Sequence, residues 1–372
     1  MSKSIQDLFA GVPDPRVVNR CSHKLCDILF IALSTLICNG EDFEDMVEFA
    51  YQRLDWLSTI LELPDGIPSH DTFNRVLQRI EPKALQKCLS EDGQVLLDTL
   101  NEKQLSVDGK KLRGASPTSK GNSGLYILSA WVSENNLCVG QTKVEDKSNE
   151  ITAIPELLDS LDIQGATISI DAIGCQKAIA TKIVEQQAEY LLALKKNQEQ
   201  TFEQVEDSFR FNESTCFNEE WEYDHGRYET RRCTLIKLSE EEQKDEIYSQ
   251  WKDLRHLVKI QASRQSSKGI TQQTRYYLSN APLSDPAYFN NLVRGHWSIE
   301  NQLHRRAAPW HLDVTFGEDA CRARSQNAPE NLNILRKIAL QRITQMKDKL
   351  SKKKRRYRAS LNNDYLKQVL VI

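Results

Sequence analysis

Two aspartates each close an apolar, alternating run. Asp108 does so in QLSVDGKKLRGA (104–115) and Asp171 in ATISIDAIGCQ (166–176). A third acid, Glu300, lies in the helical stretch PAYFNNLVRGHWSIENQLH (286–304). The ends of neighbouring strands in a mixed sheet can lie side by side, and a later helix can pack across them. Two aspartates and a glutamate meeting there would offer hard oxygen ligands to Mg²⁺, which keeps several waters and needs few carboxylates. Two such ions can activate a hydroxyl and stabilise the leaving oxygen of a phosphodiester. Lys110, Lys111 and Arg113, just behind Asp108, would then contact phosphates. Each residue also has a plainer reading. Asp108-Gly109 is a common hairpin turn, Asp171 could cap a strand end, and Glu300 could be a surface acid paired with an arginine.

The elements that must position these residues follow from periodicity. Residues 1–97 read as helices: HKLCDILFIALSTLICNG, FEDMVEFAYQRLDWLSTIL, and a short helix capped by Ser69 or Asp71 with Phe73, Val76, Leu77 and Ile80 on its apolar face. Such a unit is either a DNA reader of helix-turn-helix type or an ordinary bundle. Residues 98–199 change period. Three strands in succession precede a helix (NEITAIPELLDSL), a buried strand ending at Asp171, another helix and the strand EYLLALKK. This pattern predicts a mixed α/β sheet. Residues 200–284 are polar with β-like pieces and read as an insertion; 285–345 return to helix; 346–372 read as a basic tail.

Bulk properties set limits. At 372 residues, 40% hydrophobic and 27% charged, the chain is long enough for several globular units. The longest apolar run, ILFIALSTLIC (28–38), is too short to span a bilayer, and the N-terminus lacks a secretory core. Nine scattered cysteines suit a reducing compartment, so a cytoplasmic protein is expected. Cys21, His23 and Cys26 cluster, but zinc would need a second ligand pair. No phosphate-binding loop is present, which argues against a nucleotide cofactor. Net charge is only −3, so nucleic-acid binding must come from local patches. Residues 336–358 hold eleven Lys or Arg and one acid. Their SKKKRRYR end offers Lys352, Lys353, Lys354, Arg355, Arg356 and Arg358. Arg227, Glu229 and Arg231 alternate in HGRYETR, facing one side of a strand where they could grip DNA or form a charged ladder. Asp313, Glu318 and Asp319 in LDVTFGEDA are further acids, with Asp313 in reserve for Glu300.

The ordered motifs SVDGKKLRGA, ISIDAIGCQ, LALKKNQ, HGRYETR and RGHWSIENQLH…WHLDVTFGEDACRAR, with GIPSHDTFNRV among the N-terminal helices, resemble the H-repeat-associated group of bacterial insertion-sequence DDE transposases. The resemblance covers nearly the whole chain. It implies a ribonuclease-H-like mixed sheet core with an N-terminal all-helical domain and a β-rich insertion. It implies cleavage and joining of double-stranded DNA, at element ends and target, with two Mg²⁺ or Mn²⁺ ions held by Asp108, Asp171 and Glu300. It further implies a homodimer on DNA, with Arg294 beside the glutamate as a DNA contact. The sequence departs from that pattern twice. Of the Tyr-x2-Arg-x3-Glu-x6-Lys signature found in related transposases, only Glu300 matches. Five residues, RRAAP at 305–309, separate IENQLH from WHLDVTF, and Pro309 cannot continue a helix. A break between His304 and Trp310 is therefore expected, with weak or absent activity. An inactive DNA-binding remnant, or a nuclease that cuts without joining, are the rival readings.

Overall fold

The computed structural model describes residues 3–17, 21–97, 100–115, 125–144, 150–212, 216–224, 227–266, 269–299 and 312–372. Glu300 and the RRAAP stretch lie outside them. The N-terminal helices are α1 (Ile5–Ala10), α2 (Leu25–Ile37), α3 (Phe43–Gln52), α4 (Leu54–Leu57), α5 (His70–Arg79) and α6 (Pro82–Leu97). Helix α2 is apolar all round and is buried over nearly its whole length, as a helix at the centre of a bundle must be. Ser69 caps α5, accepting from the Thr72 amide, and Phe73, Val76 and Leu77 form its buried stripe.

The strands are β1 (Gln104–Lys111), β2 (Tyr126–Val132), β3 (Leu137–Val144), β4 (Thr167–Ile170), β5 (Glu189–Leu194), β6 (Phe217–Asp224), β7 (Arg227–Lys237), β8 (His256–Ser266) and β9 (Gly269–Ser279). They form one nine-stranded sheet in the order β3-β2-β1-β4-β5-β9-β8-β7-β6. Strand β4 pairs in parallel with β1 and with β5; every other pairing is antiparallel. The insertion therefore extends the same sheet through β9. Helices α7 (Glu150–Asp159), α8 (Lys177–Glu185) and α9 (Glu199–Phe211) share an apolar cluster with Val107, Ile168, Ile170 and Leu192 on one face. Helix α10 (Pro286–Ser298) packs on the other face against Leu191, Tyr277 and Ile260. Helix α9 was not legible in the acid-rich EQTFEQVEDSF. Its buried side is only Thr201, Val205 and Phe209, spaced four apart, and the rest is polar.

After α11 (Leu312–Phe316), helix α12 (Ala328–Thr344) threads the N-terminal bundle and touches β3. It is buried from Ala328 to Ile343, yet carries many polar side chains. Each polar group needs a partner in such a place. The Asn331 amide donates to the carbonyls of Leu77 and Ile80, and the Gln341 amide to those of Leu89 and Cys138. Arg342 meets Asp92 at 2.6 Å with both side chains excluded from solvent.

The expected basic tail is instead two packed helices, α13 (Lys352–Leu361) and α14 (Asn363–Leu370). Lys352, Arg355, Arg356 and Ala359 make the buried stripe of α13. Arg356 donates to the Leu36 carbonyl that ends α2, at 2.7 Å, and covers the Phe316 ring. Arg355 donates to Asp348 at 2.7 Å and to the Ile343 carbonyl near the end of α12 at 2.8 Å. Long basic side chains supply both apolar stems and helix-end donors, so a run of cations need not be solvated.

The Asp92–Arg342 pair yields a stability prediction. Arg342→Met should lower unfolding stability by about 3–5 kcal/mol in urea, because Asp92 is left as an uncompensated buried charge. Adding Asp92→Leu should restore most of that loss.

Candidate active site

The parallel register of β1 and β4 sets Val107 beside Ile170. The next residue on each strand is an aspartate, so Asp108 and Asp171 stand side by side where β4 ends, both half-buried. The hairpin-turn reading of Asp108-Gly109 is overturned: β1 continues to Lys111, with Asp108 opposite Ser129 and Gly109 opposite Leu128. Asp171 does act as a cap. Its Oδ1 accepts from the Ile173 amide at 3.1 Å, starting a short 3-10 turn at Ala172–Gly174. Among the described residues, no three His, Cys, Asp or Glu side chains are grouped closely enough to hold a metal ion.

Side chains alternate along a strand, so Gln104, Ser106 and Asp108 share one face of β1, and Thr167, Ser169 and Asp171 the same face of β4. This strip is buried and hydrogen-bonded up to the aspartates. Ser169 Oγ lies 3.1 Å from Ser106 Oγ, and Gln104 Nε2 donates to Ser169 Oγ at 2.9 Å and to the Leu292 carbonyl at 2.7 Å. Helix α10 lies directly on the strip. Gly295 is the point of closest approach: a Cβ there would fall 2.0 Å from Gln104 Oε1. Tyr288 reaches Thr167 Oγ1 at 3.1 Å, and His296 Nδ1 reaches Ser169 Oγ at 3.1 Å. Burial drives the His296 pKa down to about 4 despite the neighbouring charge of Asp171, so the ring is neutral at pH 7. Helix α10 thus advances along the strip toward the aspartates.

A second cluster holds β1 beyond Asp108. Lys110 Nζ is 2.5 Å from Glu318 Oε2 and 3.8 Å from Asp319 Oδ1; the Glu318 side chain is 2% exposed. Asn333 donates to the other Glu318 oxygen. One turn along α12, Lys337 donates to Ser129 Oγ at 2.8 Å, directly across the ladder from Asp108. Lys337 is buried, and desolvation lowers its pKa. The Arg113 amide donates to Asp319 Oδ1 at 3.3 Å. Gly114 lies so close to this turn that a Cβ would meet the Asp319 carbonyl at 2.4 Å.

The family described as "Transposase DDE domain" matches residues 100–342, and the family "DDE_Tnp_1-associated" matches residues 6–91. The chain belongs to the DDE transposase family. "Putative transposase YncI" of Escherichia coli O157:H7 is 36% identical, over 99% of this chain and 94% of its own length. "H repeat-associated putative transposase YhhI" of Escherichia coli strain K12 is 34% identical, over 99% of this chain and 98% of its own. The piggyBac transposase synaptic complex with hairpin DNA overlays at a TM-score of 0.40 with 10% identity, over 98% of this chain and 78% of that one.

The cations proposed from sequence as DNA contacts fall into distinct settings in this transposase chain. Lys110 is paired with Glu318 and Asp319, because GED at 317–319 folds back onto the segment behind Asp108. Lys352, Arg355 and Arg356 are likewise buried, whereas Lys353, Lys354 and Arg358 on the same helix are exposed. Lys111 is exposed, and the Arg113 side chain is 70% exposed, 3.9 Å from Asp319. Arg294 is held by Glu220 at 3.2 Å and Glu222 at 3.0 Å, tying α10 to β6. Arg231 is half-buried in a basin of about 980 Å³ between the insertion strands and α10, near Arg275 and Trp297. The side chains of Arg227 and Asp313 lie outside the described residues. Ser129, Lys337 and the clamping role of Glu318 were missed from sequence. Lys337 and Glu318 sit far from Asp108 along the chain and carry no spacing signal.

The clamp makes a prediction. Lys110→Met should destabilise the fold by about 3 kcal/mol in urea unfolding, since it strands the Glu318 carboxylate in a dry site. It should leave the salt dependence of DNA affinity unchanged, where a phosphate contact would flatten the slope by about 0.9.

Proposed function

We propose that this chain is a DDE transposase that cuts DNA strands at the ends of an insertion element and joins the freed ends to a target. The observation that carries the reading is the parallel β1–β4 register that sets Asp108, within β1, beside Asp171, the residue that follows β4. The order β3-β2-β1-β4-β5, with β4 parallel to both its neighbours, supports a ribonuclease-H-like core. Glu300 follows His296 by four residues, one helical turn. A helix continued by that turn would carry Glu300 along the face on which His296 meets Ser169, towards Asp171.

The family uses divalent metal ions, and the residues here fit one. Two half-buried carboxylates on neighbouring parallel strands suffice for a cation that retains waters. Bound there, Mg²⁺ or Mn²⁺ would supply an activated nucleophile and stabilise the leaving oxygen, two ions serving both sides. Asp108 and Asp171 would hold the ions, with Glu300 completing the set. His296, neutral and buried, orients the strip through its contact with Ser169. Arg231 and Arg275, on the same sheet face, would line the path of a DNA strand. Lys111, Arg113, Lys353, Lys354 and Arg358 would meet phosphates, with two copies of the chain on DNA.

The experiment is cleavage of DNA bearing the element ends, in Mg²⁺, by the chain as it stands and by a version lacking residues 305–309. Asp108→Asn and Asp171→Asn are made in both. The deletion version should nick and join. Either asparagine should lower its rate more than about a hundredfold, the scale of a misplaced reacting group, with DNA affinity retained. Asparagine variants that cut at the unsubstituted rate would contradict the assignment. DNA binding without cutting by either backbone would support an inactive remnant. Cutting without joining of pre-cut ends would support a nuclease.

A further inference from the structure

Gly109 poses a question that the aspartate pair leaves open. It lies within a strand, is not among the residues with positive φ, and is paired on one side, so neither a turn nor backbone freedom demands glycine. Space does. A Cβ at Gly109 would lie 2.5 Å from the Tyr126 ring and 2.8 Å from Glu150 Oε1. The carboxylate of Glu150 therefore reaches the backbone immediately after Asp108 through the gap that the glycine leaves. It does so from the sheet face opposite α10, since Gly109 points away from the face of Asp108.

Glu150 opens α7 and is only 4% exposed. Helix α7 packs on the 3-10 turn that Asp171 caps, so one element touches the backbone beyond both aspartates. Tyr126 completes the arrangement. Its hydroxyl donates to the Gly109 carbonyl at 3.1 Å and also contacts Glu150. Burial, the Glu150 contact and the charges of Asp108 and Asp171 all raise its pKa, so it remains a neutral donor. A buried side chain this close, with a tyrosine fixing the intervening peptide, holds the stretch of β1 from which Asp108 projects.

We propose that Glu150 and Tyr126 are positioning residues behind Asp108, and that the buried carboxylate of Glu150 sets how tightly the aspartate pair holds a divalent cation. This rests on reading Asp108 and Asp171 as the cation's ligands. Glu150 meets Gly109 on the sheet face opposite the aspartates, so its part is to position them.

Mn²⁺ binding to the full chain, followed by electron paramagnetic resonance of the free ion, tests this without requiring turnover. Four proteins are compared: the parent, Asp108→Asn, Glu150→Gln and Tyr126→Phe, each with its thermal melt. Glu150→Gln keeps the shape and exchanges one carboxylate oxygen for an amide; it should weaken Mn²⁺ about tenfold with a melt close to the parent's. Tyr126→Phe should weaken it about threefold. Asp108→Asn should lose the site. If Glu150→Gln and Tyr126→Phe both bind as the parent does while Asp108→Asn fails, the positioning pair is wrong and the aspartate site stands. If Asp108→Asn binds as the parent does, the aspartate reading itself fails. Should Glu150→Gln not fold, Tyr126→Phe decides alone: unchanged affinity overturns the proposal.

Discussion

Parallel strands end at the same edge of a sheet, and only parallel strands bring two side chains at equivalent C-terminal positions together. The pairing of β1 with β4 is that constraint here. Its register, Val107 on Ile170, makes Asp108 and Asp171 neighbours although 63 positions separate them in sequence. A slip of one residue would turn one aspartate to the opposite face. The buried strip below them, Gln104, Ser106 and Ser169, guards against a slip. Its groups are hydrogen-bonded to one another and to α10, and a shift would strand them.

The rest of the molecule is arranged around holding that edge. Helix α10 lies over the strip and is fastened to the insertion strand β6 by Arg294. The GED turn grips Lys110 from beyond the aspartate, and α12 reaches the same ladder through Lys337 and Ser129. Because α12 is also the spine of the N-terminal bundle, the helical unit and the sheet are tied by buried polar contacts as well as apolar packing. Buried polar networks fix one arrangement and penalise others. That is the property a site needing sub-ångström placement requires.

Much of this was legible in the sequence because it is local. Alternation revealed β1 to β5, and capping residues revealed α5. Asp108 and Asp171 stood out because each follows an alternating apolar run, although β1 continues past Asp108 to Lys111. What stayed hidden depends on tertiary partners. Lys110, Arg355 and Arg356 look like solvated cations until Glu318, Asp348 and the carbonyls of Ile343 and Leu36 are brought to them. Gly109 resembled a turn signal because sequence gives no hint of Tyr126 and Glu150 filling the space beside it.

The central claim is that the β1–β4 register makes Asp108 and Asp171 a shared cation site. Crystals of the full chain soaked in Mn²⁺ test it directly through the anomalous signal of the metal. The account predicts a peak between the two carboxylates, with an oxygen of each within about 2.0–2.3 Å, near the distances small hard divalent cations adopt. Bound manganese elsewhere, with the two aspartates on opposite faces of the sheet, would contradict it.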